Sequence, residues 1–474
     1  MRPVILQVST SDTAGGAERV ALNLHRAYQL RGYRAWLAVG RKTSDNPSVL
    51  LIPNDDYRNL WVKTWFRVRD FVAAWEFGPS TKTLYRLFHQ IGRLGEPSRL
   101  LDRWRGREDF HFPGTRHLLD TLPQQPNIVH CHNLHGGYFD LQALPWLSRQ
   151  VPVILTLHDM WLLTGHCAHS FACERWKTGC GNCPDLSIPP VVKRDATAQN
   201  WHRKREVYRK SRLHIATPSR WLMDKVKDSM LMEGAVECRV IPNGVDLSVF
   251  QPAADRREAR ASLGLPQEAK ILLFTANTIR GNIWKDYAML RAAVMKVAES
   301  LKQRQLLFVA LGEEAPPEQT GEARIVFIPF QQDTRVVARY YQAADLYIHA
   351  ARADTFPNTV LEALACGTPV AATAVGGIPE QVKGLRLTPD TGKPIGPEFN
   401  AYTPEEATGI LVRQGDAVAM AEAVVTLLKD KELRQRLGEN AARDARERFD
   451  LNKQVEAYLA WYEELAQARN TGKH

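Results

Sequence analysis

The chain has 474 residues, of which 44% are hydrophobic and 24% are charged. At roughly 100–200 residues per domain, this length predicts two or three domains, and the composition is that of an ordinary globular protein. No run approaches the roughly 18–20 apolar residues of a membrane-spanning helix, and residues 1–10 lack a signal-peptide core, so we expect a cytoplasmic protein. The net charge of +10 suits a diphosphate-bearing ligand or an anionic membrane surface. Nucleic acid is disfavoured as a partner because neither a basic arm nor zinc-finger spacing accompanies the charge.

Short apolar runs alternate with longer amphipathic stretches in two series, which is typical of repeated β-α-β units with parallel sheets. The first series predicts strands at 4–8, 35–39, 128–132, 151–156 and 214–217. The second series predicts strands at 270–276, 306–311, 325–330, 345–350 and 370–373. The fold class is therefore predicted as α/β, with two Rossmann-like halves.

The linker between the two halves is predicted at 241–246, where Pro242, Asn243 and Gly244 favour a turn. We expect the Pro- and charge-rich stretch 251–260 behind it to be unstructured. The predicted domains are then 1–240 and 247–450. A last helix, 451–474, is expected to pack back on the N-terminal domain.

The first strand-to-helix turn carries Gly15 and Gly16, ahead of a predicted helix at 17–30. Glycines let a backbone approach a ligand closely, and the amides at a helix N-terminus attract an anion. Because many ordinary turns contain two glycines, this motif predicts a donor-binding site only together with features of the second half.

The segment 56–118 departs from the alternation and is predicted to be a helical insertion. It interleaves Trp61, Trp65, Trp75 and Trp104 with arginines. Basic aromatic helices can rest in the headgroup region of a membrane, which would place the protein peripherally at its inner face. The alternative, which we favour, is a helical cap whose tryptophans form a core.

Four cysteines, Cys167, Cys173, Cys180 and Cys183, lie in a Gly-, Trp- and His-rich loop at 165–185. The last two form a C-x-x-C pair. In a reducing cytoplasm such a cluster more often binds a structural zinc ion than forms disulfides. We predict zinc, with two disulfides or free thiols as the alternative.

Two basic residues, Arg280 and Lys285, follow the predicted strand 270–276 and precede a helix that starts near Asp286. The carboxyl end of a parallel strand is where open α/β sheets bind ligands. Two fixed positive charges at that position can neutralise a leaving diphosphate.

Two carboxylates, Asp354 and Glu362, lie eight residues apart, the first in a loop and the second on a helix that Pro357 is expected to begin. Asn358 and Thr359 provide free amides at the positive end of that helix. Glu362 lies in an apolar run, where a carboxylate without a partner is costly, so a role facing a ligand is favoured over exposure to solvent. This arrangement suits a nucleotide sugar, with its hydroxyls at the loop carboxylate, a phosphate at the helix amides and the ribose at the helix carboxylate.

On these motifs the chain resembles the retaining GT-B glycosyltransferases of family 4, the group 1 glycosyl transferases. The segments that carry the resemblance are Gly15-Gly16-Ala17-Glu18, Thr156-Leu157-His158-Asp159, the linker 241–246, Arg280 with Lys285, and 354–369, which reads DTFPNTVLEALACGTP. The resemblance implies two Rossmann-like domains that face each other across a cleft. It implies that Glu362 holds the ribose, that Arg280 and Lys285 hold the diphosphate, that Asp354 binds sugar hydroxyls and that His158 lies near the donor sugar.

The implied activity is that of a hexosyltransferase that moves a sugar from a nucleotide-diphosphate donor to a saccharide or lipid-linked acceptor, without a catalytic metal ion. The segment 129–183 resembles most the members that build bacterial exopolysaccharides such as colanic acid. Asp354 stands where the family usually has Glu, which bears on the identity of the donor sugar. A GT-B epimerase or phosphorylase is the first alternative function, and a non-enzymatic nucleic-acid or ligand-binding protein is the second.

Overall fold

A computed structural model describes residues 2–13, 15–74, 78–301, 306–386 and 400–470, so that Trp75 lies outside the described residues. The chain forms two compact units. Unit 1 comprises Met1–Thr217, Leu222–Val240 and Tyr458–His474, and unit 2 comprises Pro218–Trp221 and Ile241–Ala457. No helix in the described part of the chain is long and apolar enough to cross a membrane.

Unit 1 is built on a parallel sheet whose described strands run in the order β3-β2-β1-β4-β5-β6-β7. The strands are β1 Ile5–Ser11, β2 Ala35–Arg41, β3 Val49–Leu51, β4 Ile128–Cys131, β5 Val153–Thr156, β6 Leu213–Thr217 and β7 Ala235–Val240. Each strand predicted in the first half overlaps one of these. The predictions missed β3, which is only three residues long, and β7, whose residues are only partly buried or exposed.

The helices that accompany this sheet cover its faces and form the insertion. They are α1 Gly16–Leu30, α2 Leu60–Ala74, α3 Gly78–Arg93, α4 Pro97–Trp104, α5 Leu144–Gln150, α6 Thr197–Tyr208 and α7 Arg220–Lys227. Short 3₁₀ helices lie at Asp55–Tyr57, Pro113–His117, Leu141–Ala143, Trp161–Leu163, Arg175–Lys177 and Met230–Gly234. Strands β4 and β5 are fully buried, which explains their continuous apolar character.

The insertion is helical, but two of its tryptophans, Trp61 and Trp104, are exposed. Helix α2 buries Val62 and Phe66, and a Cβ at Gly92 of α3 would lie 2.7 Å from the Phe66 ring. Trp61 is 49% exposed and Trp104 is 56% exposed. The interpretation of the insertion as a cap with a tryptophan core is therefore wrong for these two residues.

Unit 2 is built on a second sheet in the order β10-β11-β9-β8-β12-β13-β16-β14-β15 within the described residues, parallel except for the β10–β11 pair. The strands are β8 Lys270–Thr275, β9 Leu306–Leu311, β10 Glu318–Thr320, β11 Ala323–Ile328, β12 Leu346–His349, β13 Val370–Thr373, β14 Gly384–Leu385, β15 Asn400–Tyr402 and β16 Gly409–Val412. All five strands predicted in the second half overlap an observed strand.

Helices pack on both faces of this sheet over two buried apolar clusters. They are α8 Arg256–Ser262, α9 Tyr287–Leu301, α10 Thr334–Ala343, α11 Asn358–Ala365, α12 Ile378–Gln381, α13 Ala417–Lys429 and α14 Lys431–Arg448, and the last helix of the chain is α15 Leu451–Asn470. Helix α8 contradicts the expectation that 251–260 is unstructured. Its N-cap is Asp255, whose side chain accepts a hydrogen bond from the amide of Arg257, and Arg260 is anchored on Asp345 at 2.9 Å.

Helix α15 begins in unit 2, and its residues from Tyr458 onward pack within unit 1. The hydroxyl of Tyr462 lies 3.0 Å from that of Tyr28 on α1, and the indole of Trp461 donates to Glu237 on β7 at 2.7 Å. These contacts fix the second half of α15 on α1 and β7 of unit 1.

Candidate active site

Strand β12 of unit 2 ends at His349, and the loop behind it carries Asp354 next to Lys285. The Lys285 ammonium donates to the Asp354 carboxylate and lies 3.2 Å from Nε2 of His349. A backbone bridge from Lys285 to Ala351 fixes the lysine against this loop. Burial opposes ionisation of Asp354, but the charge of Lys285 and the hydrogen bonds from His349 and Lys285 hold its pKa below the usual range. The site therefore presents an ionised carboxylate beside an ammonium at the carboxyl edge of the sheet.

His349 was not among the residues predicted from sequence. It is fully buried, and its Nδ1 lies 3.0 Å from the hydroxyl of Tyr347. Burial and the neighbouring charge of Lys285 lower its pKa to about 4, so the ring is neutral at physiological pH. A polar residue at the carboxyl end of a predicted parallel strand is the signal that could have identified it.

Helix α11 carries the other predicted donor residues of unit 2. It begins at Asn358, with Pro357 as its N-cap rather than as its first helical residue. The side chain of Asn358 accepts a hydrogen bond from Asn243 at 3.1 Å, and Thr359 follows in the first turn. Glu362 is 4% exposed and accepts a hydrogen bond from the Tyr341 hydroxyl at 2.9 Å. One oxygen of this buried carboxylate is thus oriented by the protein.

The loop after β13 packs tightly on the backbone at Asp354. Gly376 has φ +57°, and a Cβ at that position would lie 1.7 Å from the carbonyl oxygen of Asp354. Only glycine permits both the backbone conformation and the close approach. This contact fixes the position of the loop that carries the carboxylate.

Arg280 lies apart from the Lys285–Asp354 pair. Its Nε donates a hydrogen bond to one carboxylate oxygen of Glu313 at 2.7 Å. The other oxygen of Glu313 accepts hydrogen bonds from the backbone amides of Ile279 and Arg280 at 2.7 and 2.8 Å. The Arg280 side chain is 43% exposed. The two basic residues predicted to share a diphosphate are therefore held on different carboxylates.

The glycine turn of unit 1 has its own acidic neighbour. Gly15 is the N-cap of α1 with φ 95°, and Gly16 is the first helical residue. A Cβ at Gly15 would lie 2.0 Å from a carboxylate oxygen of Glu18. Burial raises the pKa of Glu18. The carboxylate of Glu18 thus lies over the turn that the sequence analysis assigned to the donor.

His158 belongs to a buried histidine cluster in unit 1. Its Nε2 lies 3.1 Å from Nδ1 of His132, and burial lowers the pKa of His158 to about 4. His130 lies between the hydroxyls of Thr156 and Tyr462, each at 2.6 Å. These histidines are neutral at physiological pH.

His135 differs from these neutral histidines. Its Nε2 lies 2.7 Å from Asp159. Although burial lowers the pKa of His135, the charge of Asp159 and the hydrogen bond to it raise that pKa above its ordinary value. The loop behind β4 therefore carries a histidine whose protonated form is favoured by Asp159, next to the neutral histidines.

The four loop cysteines are free thiols in the structure. Cys180 accepts a hydrogen bond from the amide of Gly165 at 3.3 Å, and the Cys183 sulfur lies 3.4 Å from Nε2 of His166. Burial raises the pKa of Cys167 to about 12 and that of Cys180 to about 11. Among the described residues, no group of three or more His, Cys, Asp or Glu side chains is placed to hold a metal ion. Structural zinc at Cys167, Cys173, Cys180 and Cys183 stays a prediction.

Elemental analysis of the purified protein tests that prediction. If the loop binds zinc, we expect about one zinc ion per chain, because structural sites take four Cys or His ligands. The double variant Cys180→Ser/Cys183→Ser should lose the metal, and Cys238→Ser, outside the loop, should keep it. Metal-free wild-type protein with four titratable loop thiols would rule zinc out.

Two family models match the chain. The Glycosyltransferase Family 4 model matches residues 14–249, and the Glycosyl transferases group 1 model matches residues 255–444. The chain belongs to this family of glycosyltransferases. The group 1 glycosyl transferase segment contains Arg280, Lys285, Asp354 and Glu362, and the family 4 segment contains His158.

Curated relatives of this glycosyltransferase match over most of its length. A putative colanic acid biosynthesis glycosyl transferase of Escherichia coli is 26% identical over 381 residues, which are 78% of this chain and 82% of the relative. A D-inositol 3-phosphate glycosyltransferase of Corynebacterium jeikeium is 29% identical over 369 residues, covering 73% and 77%.

Solved structures identify the fold of the glycosyltransferase as GT-B. Sucrose-phosphate synthase from Thermosynechococcus elongatus aligns with a TM-score of 0.58 and 19% identity, covering 98% of this chain and 100% of the other. HepE of Anabaena in complex with UDP and glucose aligns with a TM-score of 0.58 and 16% identity, with the same coverage. The two parallel-sheet α/β units agree with this fold, and the predicted fold class is confirmed.

Proposed function

We propose that this glycosyltransferase transfers a hexose, with retention of anomeric configuration, from a nucleotide-diphosphate sugar to a saccharide or lipid-linked acceptor. The observation that carries the proposal is the Lys285–Asp354 pair. Asp354 lies four residues ahead of α11, the helix that bears the buried Glu362. The complex of HepE with UDP and glucose supports a nucleotide-sugar donor. Similarity to the putative colanic acid enzyme supports a place in bacterial surface polysaccharide synthesis.

In the proposed reaction the bond from the anomeric carbon to the diphosphate breaks, and the bond to the acceptor oxygen forms on the same face. Lys285 stabilises the charge that develops on the diphosphate, together with the amides of Asn358 and Thr359. The departing phosphate oxygen takes the proton of the acceptor hydroxyl. Because the protein supplies these positive groups itself, we expect no catalytic metal ion.

The sugar and the nucleoside are assigned to the two carboxylates. Asp354 is ionised and accepts hydrogen bonds from sugar hydroxyls, and Glu362 accepts from the ribose diol with its position fixed by Tyr341. Arg280 adds long-range positive charge to the diphosphate. The roles of His158 near the donor sugar and of Gly15 and Gly16 in donor binding stay predictions.

Titration of a Glu362→Gln variant tests the donor site. The cognate donor is first found as the UDP-, GDP- or TDP-sugar that raises the melting temperature of the wild-type protein. Loss of the charged acceptor should then weaken donor binding by about tenfold in calorimetry, since a hydrogen bond to a charged group contributes roughly 1.5–3 kcal/mol. The matched control is Glu422→Gln on the exposed face of α13.

The possible outcomes distinguish an error in the assignment of Glu362 to the ribose from an error in the proposed donor class. Unchanged affinity in Glu362→Gln would remove this residue from the ribose site. No stabilisation of the wild-type protein by any nucleotide sugar would contradict the donor class itself.

We further propose that the insertion rests on an anionic membrane surface. Helices α2 to α4 and the turn behind α3 expose apolar side chains at Leu60, Trp61, Phe71, Leu84, Leu87, Leu94, Leu101 and Trp104. Exposed arginines lie among them at Arg67, Arg86, Arg103 and Arg105. Apolar groups beside basic groups complement the acyl boundary and the charge of an anionic leaflet.

Vesicle sedimentation tests the membrane proposal. The protein should bind phosphatidylglycerol vesicles, bind phosphatidylcholine vesicles weakly, and lose most of its binding in Phe71→Ser/Leu87→Ser. The control is Leu30→Ser/Val418→Ser, which removes equally exposed apolar side chains outside the insertion. Equal binding by the two double variants would contradict a membrane contact through α2 and α3.

A further inference from the structure

Unit 1 contains a cavity of about 860 Å³ that the histidine cluster and the donor residues do not explain. Its walls come from three separate segments: the insertion from His89 to Phe112, the stretch behind β4 from Leu134 to Phe139, and residues 190–193 after the cysteine loop. Trp161 closes one side. The insertion therefore supplies a large part of the cavity wall.

Basic side chains outnumber acidic ones in the walls of this cavity. The basic residues are Arg93, Arg99, Arg103, Arg107 and Lys193, and the acidic residues are Glu108 and Asp109. Both carboxylates are already neutralised, since Asp109 accepts from Arg99 at 2.6 Å and Glu108 lies 3.0 Å from the ammonium of Lys204. The walls thus retain an excess of positive charge.

The excess positive charge of the cavity wall comes from Arg93, Arg103 and Lys193. Arg107 is paired with Asp102 at 2.9 Å, but the ion pairs among the described residues include none for Arg93, Arg103 or Lys193. Arg93 donates a hydrogen bond to Gln90 at 3.4 Å. Burial and the charges of Arg103 and Arg99 lower the pKa of Arg93, and together they outweigh the opposite effect of Asp109 and Glu96.

The cavity reaches the end of the sheet at which α/β proteins bind ligands. Its wall includes His135, Gly136 and Gly137, in the loop behind β4, and Nε2 of His135 lies 2.7 Å from Asp159. The two glycines have φ of 105° and 78°, so the backbone adopts there a conformation that other residues rarely adopt. A ligand in this cavity would extend from the arginines of the insertion to the sheet edge of unit 1.

We propose that this cavity binds the phosphate or diphosphate group of the sugar acceptor. A phosphate or diphosphate carries several oxygens and more than one negative charge, so it can accept hydrogen bonds from several arginine side chains at once. A single carboxylate needs only one arginine. The residues that the proposed function assigns to the sugar, the ribose and the diphosphate lie in unit 2, and the unit 1 residues predicted for the donor, Gly15, Gly16 and His158, do not line this cavity. We therefore assign the cavity to the acceptor. In that respect the inference rests on the proposed function.

Arginine modification on the wild-type protein gives a local test that does not need turnover. Phenylglyoxal labels accessible arginines, and peptide mass spectrometry reports each site separately. Inorganic diphosphate and farnesyl diphosphate are the probes. Both should protect Arg93 and Arg103 from labelling, whereas the exposed Arg67 and Arg86 of the same insertion should label at an unchanged rate.

Calorimetric titration of variants with the same probes gives the second measurement. Arg93→Gln/Arg103→Gln should weaken farnesyl diphosphate binding by at least about tenfold, while Arg67→Gln/Arg86→Gln, with the same loss of charge, should not. A melting temperature equal to that of the wild type establishes that the first variant is folded. Tighter binding of farnesyl than of inorganic diphosphate assigns a lipid-linked acceptor, and equal binding assigns a soluble sugar phosphate.

No protection of Arg93 and Arg103 by either probe would overturn the inference. So would equal loss of affinity in the two double variants, because binding would then reflect overall charge. A failure of the proposed function gives a result that differs from a failure of this inference. It would appear as no response of the melting temperature to nucleotide sugars, with the protection of these arginines unchanged.

Discussion

Replacing Lys285 by alanine should lower kcat by about two to three orders of magnitude and change donor affinity far less, by analogy with the removal of one oxyanion donor. The ammonium is held by Asp354 and the backbone bridge to Ala351, and it lies beside the neutral ring of His349. Such a fixed charge needs no reorganisation as the diphosphate departs. It therefore stabilises the transition state more than the bound donor.

Steady-state kinetics with the cognate donor gives the measurement, and two variants act as controls. Lys285→Arg keeps the charge but changes its shape, so it should recover only part of kcat. Arg280→Ala should also lower kcat more than it weakens donor binding, but by less than Lys285→Ala, because Arg280 is 43% exposed and held on Glu313. An increase in KM with near-native kcat in Lys285→Ala would mean that this charge serves ground-state binding, and the account of catalysis would be wrong.

The two-sheet fold could be predicted from sequence because its strands are short, apolar and regularly spaced. Strands such as β4 and β13 are buried on both faces, so burial alone makes them continuous apolar runs. Lys285 and Asp354 were recognisable for a related reason, since each lies near the carboxyl end of a predicted strand. Helix α8 was missed because its start depends on the Asp255 cap and its packing on the buried Arg260–Asp345 pair, which joins residues 85 positions apart.

The partners of the site residues could not be predicted. Spacing along the chain does not indicate that Arg280 is held on Glu313, that Glu362 accepts from Tyr341, or that the Glu18 carboxylate lies over the glycine turn. The arginine-lined cavity has the same origin, because its walls come from three segments that tertiary packing alone brings together. The motifs located the candidate donor residues, and the long-range contacts decided their electrostatic surroundings.

Loss of the buried Lys204 should destabilise unit 1 by about 3–5 kcal/mol, because removing one partner leaves a buried charge uncompensated. The ammonium of Lys204 donates to the carbonyl oxygens of Trp161 and Thr164 at 2.8 and 3.0 Å, and it neutralises Glu108 at the end of the insertion. It thereby joins α6, the insertion and the start of the cysteine loop. Lys204→Met should lower the melting temperature of unit 1 by roughly 10 °C in scanning calorimetry.

The loss of stability in Lys204→Met is expected to come from the charge of Glu108, which then lacks its partner. A second variant separates the effect of this charge from the effect of lost side-chain packing. In Glu108→Gln/Lys204→Met no buried charge lacks a partner, and the amide oxygen of the glutamine can still accept from the indole of Trp161, which donates to Glu108 at 2.7 Å. The double variant should therefore be more stable than Lys204→Met alone. Lys210→Met, on an exposed lysine just beyond α6, should change stability by less than about 1 kcal/mol. If Lys204→Met behaves like Lys210→Met, the pair contributes no more than a surface ion pair, and the insertion is held to unit 1 by its apolar contacts.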